Sequence, residues 1–192
     1  MRLSERGQLH SGVVASVMME INRFTTQYDP MEDRIRLTGA DDRGQTLSLW
    51  LTQRLLNRLV PHLCVGLEKR FGAFASKGNG QSLSAHVVQS FAQEKARTAL
   101  PRSRPVVPTV DAPQWRVETV DVKNAPGGVR LTLKGPTEAE QASLVLSTPA
   151  QRQWLGIVYE QYRCASWPMQ VWPHWMVEAA GSPPRAVPGV LH

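Results

Sequence analysis

The chain has 192 residues, 42% of them apolar, with 22 basic and 16 acidic side chains and a net charge of +6. That length suits one domain or two small ones, and the apolar share is enough to build a core, which excludes an unfolded polar chain. No stretch approaches the roughly 20 apolar residues of a membrane span. Two cysteines, Cys64 and Cys164, without Cys-x-x-Cys spacing, exclude a disulfide scaffold and point to reduced thiols in the cytosol, both read as small core residues among apolar neighbours.

Residues 13–19 form a short apolar run after Arg2 and Arg6. It lacks a small-residue cleavage site and leads straight into Glu20, so it is not read as a secretory signal. Residues 1–18 are assigned to an N-terminal arm, and the patterned chain begins after it. Residues 21–28 carry β-branched and aromatic side chains and end at Asp29-Pro30, a strand followed by a turn. Residues 34–38 alternate charged and apolar, residues 39–44 turn, and residues 46–51 resume the alternation. The period then changes. Leu51, Leu55, Leu59, Leu63 and Leu67 recur every four residues with Leu56, Val60 and Cys64 beside them, which predicts an amphipathic helix from Thr52. Pro61 removes one donor inside it, so a kink or break is expected there.

Residues 72–81 are rich in Gly, Ser, Lys and Asn and are read as a loop. Ser82 is placed to cap a central helix with Leu83, Val87, Phe91 and Ala92 on its apolar face, ending near Leu100 before Pro101. Residues 101–114 have the proline density of an extended linker. Beyond it the order of elements returns: alternation over 115–122, a turn at Pro126-Gly127-Gly128, alternation over 129–133, a third strand over 142–147, and a helix opening at Thr148-Pro149. Its apolar face is Trp154, Leu155, Val158, Tyr159 and Tyr162.

The expected fold class is therefore α+β, with two antiparallel three-stranded meanders each followed by an amphipathic helix, and an extra central helix. The chain divides into the arm 1–18, a first unit 19–100, the linker 101–114, a second unit 115–180 and a tail 181–192. The stretch 35–38 matches 129–132, and Leu47-Ser48-Leu49 before Thr52 matches Leu144-Val145-Leu146 before Thr148, which suggests an internal duplication.

The known chemistries are mostly refused. There is no Gly-x-Ser-x-Gly elbow, and His62 and Cys64, two residues apart on a helix, point in different directions. His10, His62, His86, His174 and His192 are scattered and show no metal-ligand spacing. Asp29, Glu32 and Asp33 lack the calcium-loop pattern. Residues 77–82 carry their lysine on the wrong side of the glycines for a phosphate loop. No catalytic residue, cofactor or metal is assigned.

Charge and aromatics carry more. Residues 52–110 hold nine basic side chains against Glu68 and Glu94. Such a zone attracts anionic partners. The segment 167–176 holds three of the six tryptophans, with prolines between them that argue against a regular helix. Trp and Arg dominate interface hot spots, whereas a buried strap is the alternative use of such rings. The candidate interaction residues are Arg54, Arg58, Lys69, Arg70, Lys77, Trp167, Trp172 and Trp175. They support a non-catalytic interaction or assembly subunit of a cytosolic complex, bound to another protein or to a second copy of itself. A nucleic-acid-binding module using the basic region and an enzyme with an unfamiliar site, built around His86, His174 or an acidic pair, are the alternatives. No membrane partner is expected.

Overall fold

The computed structural model describes residues 18–75, 85–99 and 103–181, with side chains for all of these but 71–75. In chain order the elements are β1 (Met19–Ile21), β2 (Arg23–Asp29), β3 (Arg34–Ala40), β4 (Thr46–Leu51), α1 (Gln53–Ala75), α2 (Ala85–Thr98), β5 (Gln114–Arg116), β6 (Thr119–Ala125), β7 (Gly128–Lys134), β8 (Gln141–Ser147), α3 (Thr148–Cys164) and α4 (His174–Gly181). The mixed α+β class and the two meanders with a helix after each are as the patterning predicts.

The sheets hold one arrangement that alternation does not reveal. One has the order β2-β3-β4-β5 and the other β1-β8-β7-β6, so each meander takes its fourth strand from the other half of the chain. Those strands, β1 and β5, pair parallel with β8 and β4. The stretch expected as one strand over 115–122 is thus two, changing sheets at residues 117–118: Val117 donates its N–H to Trp50 O in one sheet and Glu118 to Lys134 O in the other. Asn22 marks the same crossing between β1 and β2. Space for it is cut by Gly39, where a Cβ would stand 3.0 Å from three side-chain carbons of Ile21. A period of two says which face a residue takes but not which sheet its strand joins.

Inward residues of both sheets, among them Ile35, Leu37, Leu49, Leu131, Leu133 and Leu144, form one connected core with the apolar faces of α1 and α3. The helices begin alike. Thr52 Oγ1 accepts the N–H of Leu55 at 3.2 Å and Ser147 Oγ that of Ala150 at 3.3 Å, each satisfying an otherwise orphaned donor. Pro149 sits in the first turn of α3, as expected. α1 runs through Pro61 without a break and continues to Ala75, into the stretch expected as loop. Buried Leu59, Val60, Leu63 and Cys64 flank the proline on both sides, and this packing outweighs one lost donor.

Strand pairing and caps fix which positions of the two halves are equivalent. Leu37 faces Leu49 and Leu131 faces Leu144, so Leu49 corresponds to Leu144 and Thr52 to Ser147. The sequence match of Leu49 with Leu146 is therefore two residues out of register, a slip that leaves every side chain on its proper face and so hides in the pattern. On α1 and α3 the buried positions Leu56, Leu59, Val60, Leu63, Cys64 and Leu67 then coincide with Gln151, Trp154, Leu155, Val158, Tyr159 and Tyr162.

Three further expectations change. α2 buries Gln89, Gln93 and Ala96, not Phe91, which is 53% exposed. Its inward neighbours are polar: Gln93 Nε2 donates to Arg152 O at 2.9 Å, and Arg152, itself only 2% exposed, donates to Gln89 Oε1. Backbone carbonyls and a buried guanidinium ask for amide side chains there. Trp175 and Met176 lie on a helix, since Pro173 precedes α4 and its missing donor costs nothing at that place. Cys164, expected in the core, is exposed beyond the buried stripe of α3 and is a free thiol, as is buried Cys64. Ser82, Leu83 and Leu100 fall outside the described residues, as do the phosphate-loop-like residues 77–82.

Residues 103–113 have no regular strand or helix, yet they are tied to the first sheet. Val106 donates its N–H to Thr25 Oγ1 at 2.8 Å and Thr109 to Thr46 Oγ1 at 2.9 Å.

Candidate functional site

The expected interaction residues separate into two groups. Trp167, Trp172 and Trp175 are 6%, 6% and 2% exposed. Trp167 packs edge-on against Tyr28 and Tyr162, Trp172 against Tyr159 and Tyr162, and Arg152 lies over the Trp175 ring. Trp167 Nε1 donates to Asp33 Oδ1 at 3.0 Å and Trp175 Nε1 to Glu68 Oε1 at 2.8 Å. These rings strap the core; they are not displayed. Arg54, Arg58 and Lys69 are exposed on α1 and Arg70 is half-buried, while Lys77 lies outside the described residues.

At spacings of four, Arg54, Arg58 and His62 share one helical face. That face forms one wall of a cleft of about 540 Å³ whose other wall is β6, with Leu55, Leu59, Val120 and Val122 at its floor. A second hollow, lined by Arg54, Arg58, Arg116 and Glu118, continues it toward β5. The acids on the β6 side are engaged: Glu118 with Arg116 at 2.8 Å and Asp121 with Lys134 at 2.7 Å. The hydrogen bond and charge of Lys134 hold the Asp121 carboxyl below the usual carboxylate range. Neither Arg54 nor Arg58 has a carboxylate partner among the described residues, so the helical wall carries the uncompensated charge.

β6 is an edge strand, and so is β2 in the other sheet. The ladders make Thr26 equivalent to Val122 and Tyr28 to Asn124. The matching groove, between α3 and β2, is lined by Ala150, Gln153, Trp154 and Ile157 at the places of Leu55, Arg58, Leu59 and His62. This second groove keeps a hollow of about 600 Å³ that also holds Arg23 and Arg104, but its strand edge is engaged by its own chain. Trp154 Nε1 donates to Thr26 Oγ1 at 3.2 Å, Gln161 Oε1 accepts the edge N–H of Tyr28 at 2.8 Å, and residues 103–106 form a further wall. At the place of Gln161, α1 has Gly66, and a Cβ built there meets nothing within 4 Å. The outward backbone groups of β6 are thus left uncovered among the described residues.

Nucleophilic chemistry has no support at Cys64, because burial, and then the charge of Glu68, pushes its thiol up to about 12. Burial likewise raises the Tyr162 hydroxyl and lowers Arg152 to about 10, which leaves that guanidinium charged at neutral pH. The fold does join two histidines that spacing left apart: His86 on α2 meets His174 on α4, with Glu178 one turn beyond. Only tertiary packing makes this cluster, and no local motif announces it. Among the described residues no helix is long and apolar enough to cross a membrane. Comparison of the chain with protein-family models, characterised proteins and solved structures gives no match.

Proposed function

We propose that this chain is a non-catalytic binding subunit of a cytosolic assembly that receives an extended, acidic segment of a partner protein along the β6 edge, under the basic face of α1. One observation carries the reading: of two equivalent edge strands, β2 has its outward groups engaged by Trp154 and Gln161 beside residues 103–106, and β6 is uncapped among the described residues and faces Arg58 and His62, with Arg54 in the adjoining hollow. An unpaired strand edge supplies backbone donors and acceptors in the spacing another strand needs. The arginines favour a partner with carboxylates on the side facing α1. Val120 and Val122 offer apolar contact for its alternate side chains. Asp121 and Lys123, alternating with the valines, discourage indiscriminate edge pairing.

The test is selection of random peptides displayed on phage against the full chain, followed by titration of the selected sequences into the wild type and an Arg54→Glu/Arg58→Glu variant. Support is enrichment of Asp and Glu, amide-exchange protection confined to residues 119–125 on binding, and a loss of affinity of about tenfold or more in the variant. Peptides without acidic enrichment, or bound equally by the variant, overturn it. Binding of oligothymidylate in place of peptides, weakening steeply with salt, assigns the groove to nucleic acid instead.

A further inference from the structure

We infer that His86, His174 and Glu178 form a binding site for a divalent transition-metal ion of the zinc type, which pins α4 to α2. One ligand atom from each of the three lies within 4.8 Å of the other two. His174 Nδ1 stands 3.1 Å from Glu178 Oε1 and 3.2 Å from His86 Nε2, and the two rings are 5.0 Å apart. Ligands held at about 2.0–2.1 Å around a tetrahedral ion lie roughly 3.3 Å from one another, and the two distances from His174 Nδ1 match that spacing.

The contacts run round all three groups: His174 Nδ1 faces both Glu178 Oε1 and His86 Nε2, and His86 Nδ1 stands 3.3 Å from Glu178 Oε2, so Glu178 faces a nitrogen of each ring. A cation placed among them engages a lone pair of each. Two imidazoles and one carboxylate select a borderline metal such as zinc, because magnesium and calcium prefer all-oxygen shells.

The two helices are already held in place to present these groups. His174 and Glu178 are four residues apart on one face of α4. α2 packs along α4, and Arg97 near its far end donates to Ala179 O at 3.2 Å and Ala180 O at 3.3 Å. His86 in the first turn of α2 is thereby set against the first turn of α4. His174 and Glu178 are exposed at 74% and 44% of their side chains, so the ion has direct access from solvent and water completes its shell. The shallow cleft of Val87, Ser90, Phe91 and Glu94 that adjoins Glu178 lies beside the site.

The experiment uses the full chain stripped with chelator and titrated with Zn²⁺ by calorimetry and with Co²⁺ by visible absorption. The expected result is one ion per chain, cobalt d–d bands of low coordination number, and a higher melting temperature with Zn²⁺ but not with Mg²⁺. His86→Ala, His174→Ala and Glu178→Gln should each weaken binding by more than about tenfold. All three positions are accessible to solvent, and circular dichroism confirms that the variants fold. A His10→Ala/His62→Ala/His192→Ala variant should bind Zn²⁺ like the wild type. Absence of Zn²⁺ binding below millimolar concentration, retention of affinity in His174→Ala, or loss of binding in the triple variant overturns the assignment.

Discussion

Where α3 lies along β2, Trp154 reaches the hydroxyl of Thr26 and Gln161 takes the N–H of Tyr28. Where α1 lies along β6, the same two places hold Leu59 and Gly66, and the flanking Gln153 and Ile157 are replaced by Arg58 and His62. The helices start with the same capping bond and bury the same apolar stripe, so the difference lies in the side chains that meet the strand edge and in residues 103–106, which flank only the first groove. One scaffold therefore carries two finishes. The first satisfies an edge internally and contributes to stability; the second leaves an edge and its charge uncovered among the described residues. Capping the free edge, or freeing the capped one, tests that contrast residue by residue.

The largest effect is expected from Trp154→Leu, which gives α3 the side chain of its α1 counterpart. Trp154 is among the largest fully buried side chains, and replacing the indole leaves a cavity and an unanswered Thr26 hydroxyl. A loss of about 2–3 kcal/mol in denaturant unfolding is expected. The reverse change, Leu59→Trp, should fill the α1–β6 cleft and compete with peptide binding. If Trp154→Leu leaves the unfolding midpoint unchanged, the engaged edge of β2 is not held by its tryptophan.

Gln161→Gly comes next. It removes the acceptor of the Tyr28 N–H and places a glycine inside α3, for a combined loss of roughly 2 kcal/mol. Hydrogen exchange reads the mechanism directly: the amide of Tyr28 should lose protection while those of β3 and β4 keep theirs. Uniform loss across the sheet would show that Gln161 supports the fold generally and does not cap one edge.

Much of this architecture is legible in the chain and part is not, for reasons that can be named. The period of two in 34–38 and 129–133 and the period near four from Leu51 to Leu67 announce the meanders and α1, because each buries one face against a single core. Strand exchange by β1 and β5 is silent, since three residues of alternation carry no information about the partner sheet. α2 misleads because its buried face is Gln89 and Gln93, chosen by Arg152 and by backbone carbonyls rather than by hydrophobicity. Arg54 and Arg58 stand out as charge, yet the cleft beside them depends on β6, more than sixty residues away in the chain. His86, His174 and Glu178 are joined only by the packing of α4 on α2.

Smaller effects should follow at the two caps. Thr52→Ala and Ser147→Ala each delete one side-chain acceptor at a helix start, and each should cost about 1 kcal/mol. The two losses should agree within a few tenths of a kcal/mol, because equivalent caps open equivalent helices. Equilibrium unfolding of both variants checks this. A large disparity would place the equivalence of the halves in element order alone and not in the local energetics of α1 and α3.

The smallest change in stability, and the one that bears most on function, is expected from Gly66→Gln. It transplants the edge-capping side chain of α3 onto α1 at a position where a Cβ meets no atom within 4 Å. Glycine inside a helix is unfavourable relative to glutamine by about 0.5–1 kcal/mol, so the variant should be more stable than the wild type by that amount. The amide of the new side chain can then take the outward N–H of Asn124, as Gln161 takes that of Tyr28. Binding of an acidic peptide selected on the wild type should weaken by about tenfold even though no arginine has changed, which separates the contribution of the strand edge from that of the charge. Arg58→Gln, which copies Gln153, does the converse: it removes charge and leaves the edge open. If Arg58→Gln weakens the peptide and Gly66→Gln does not, the ligand is held by the basic face of α1 alone and the free edge of β6 is not its seat.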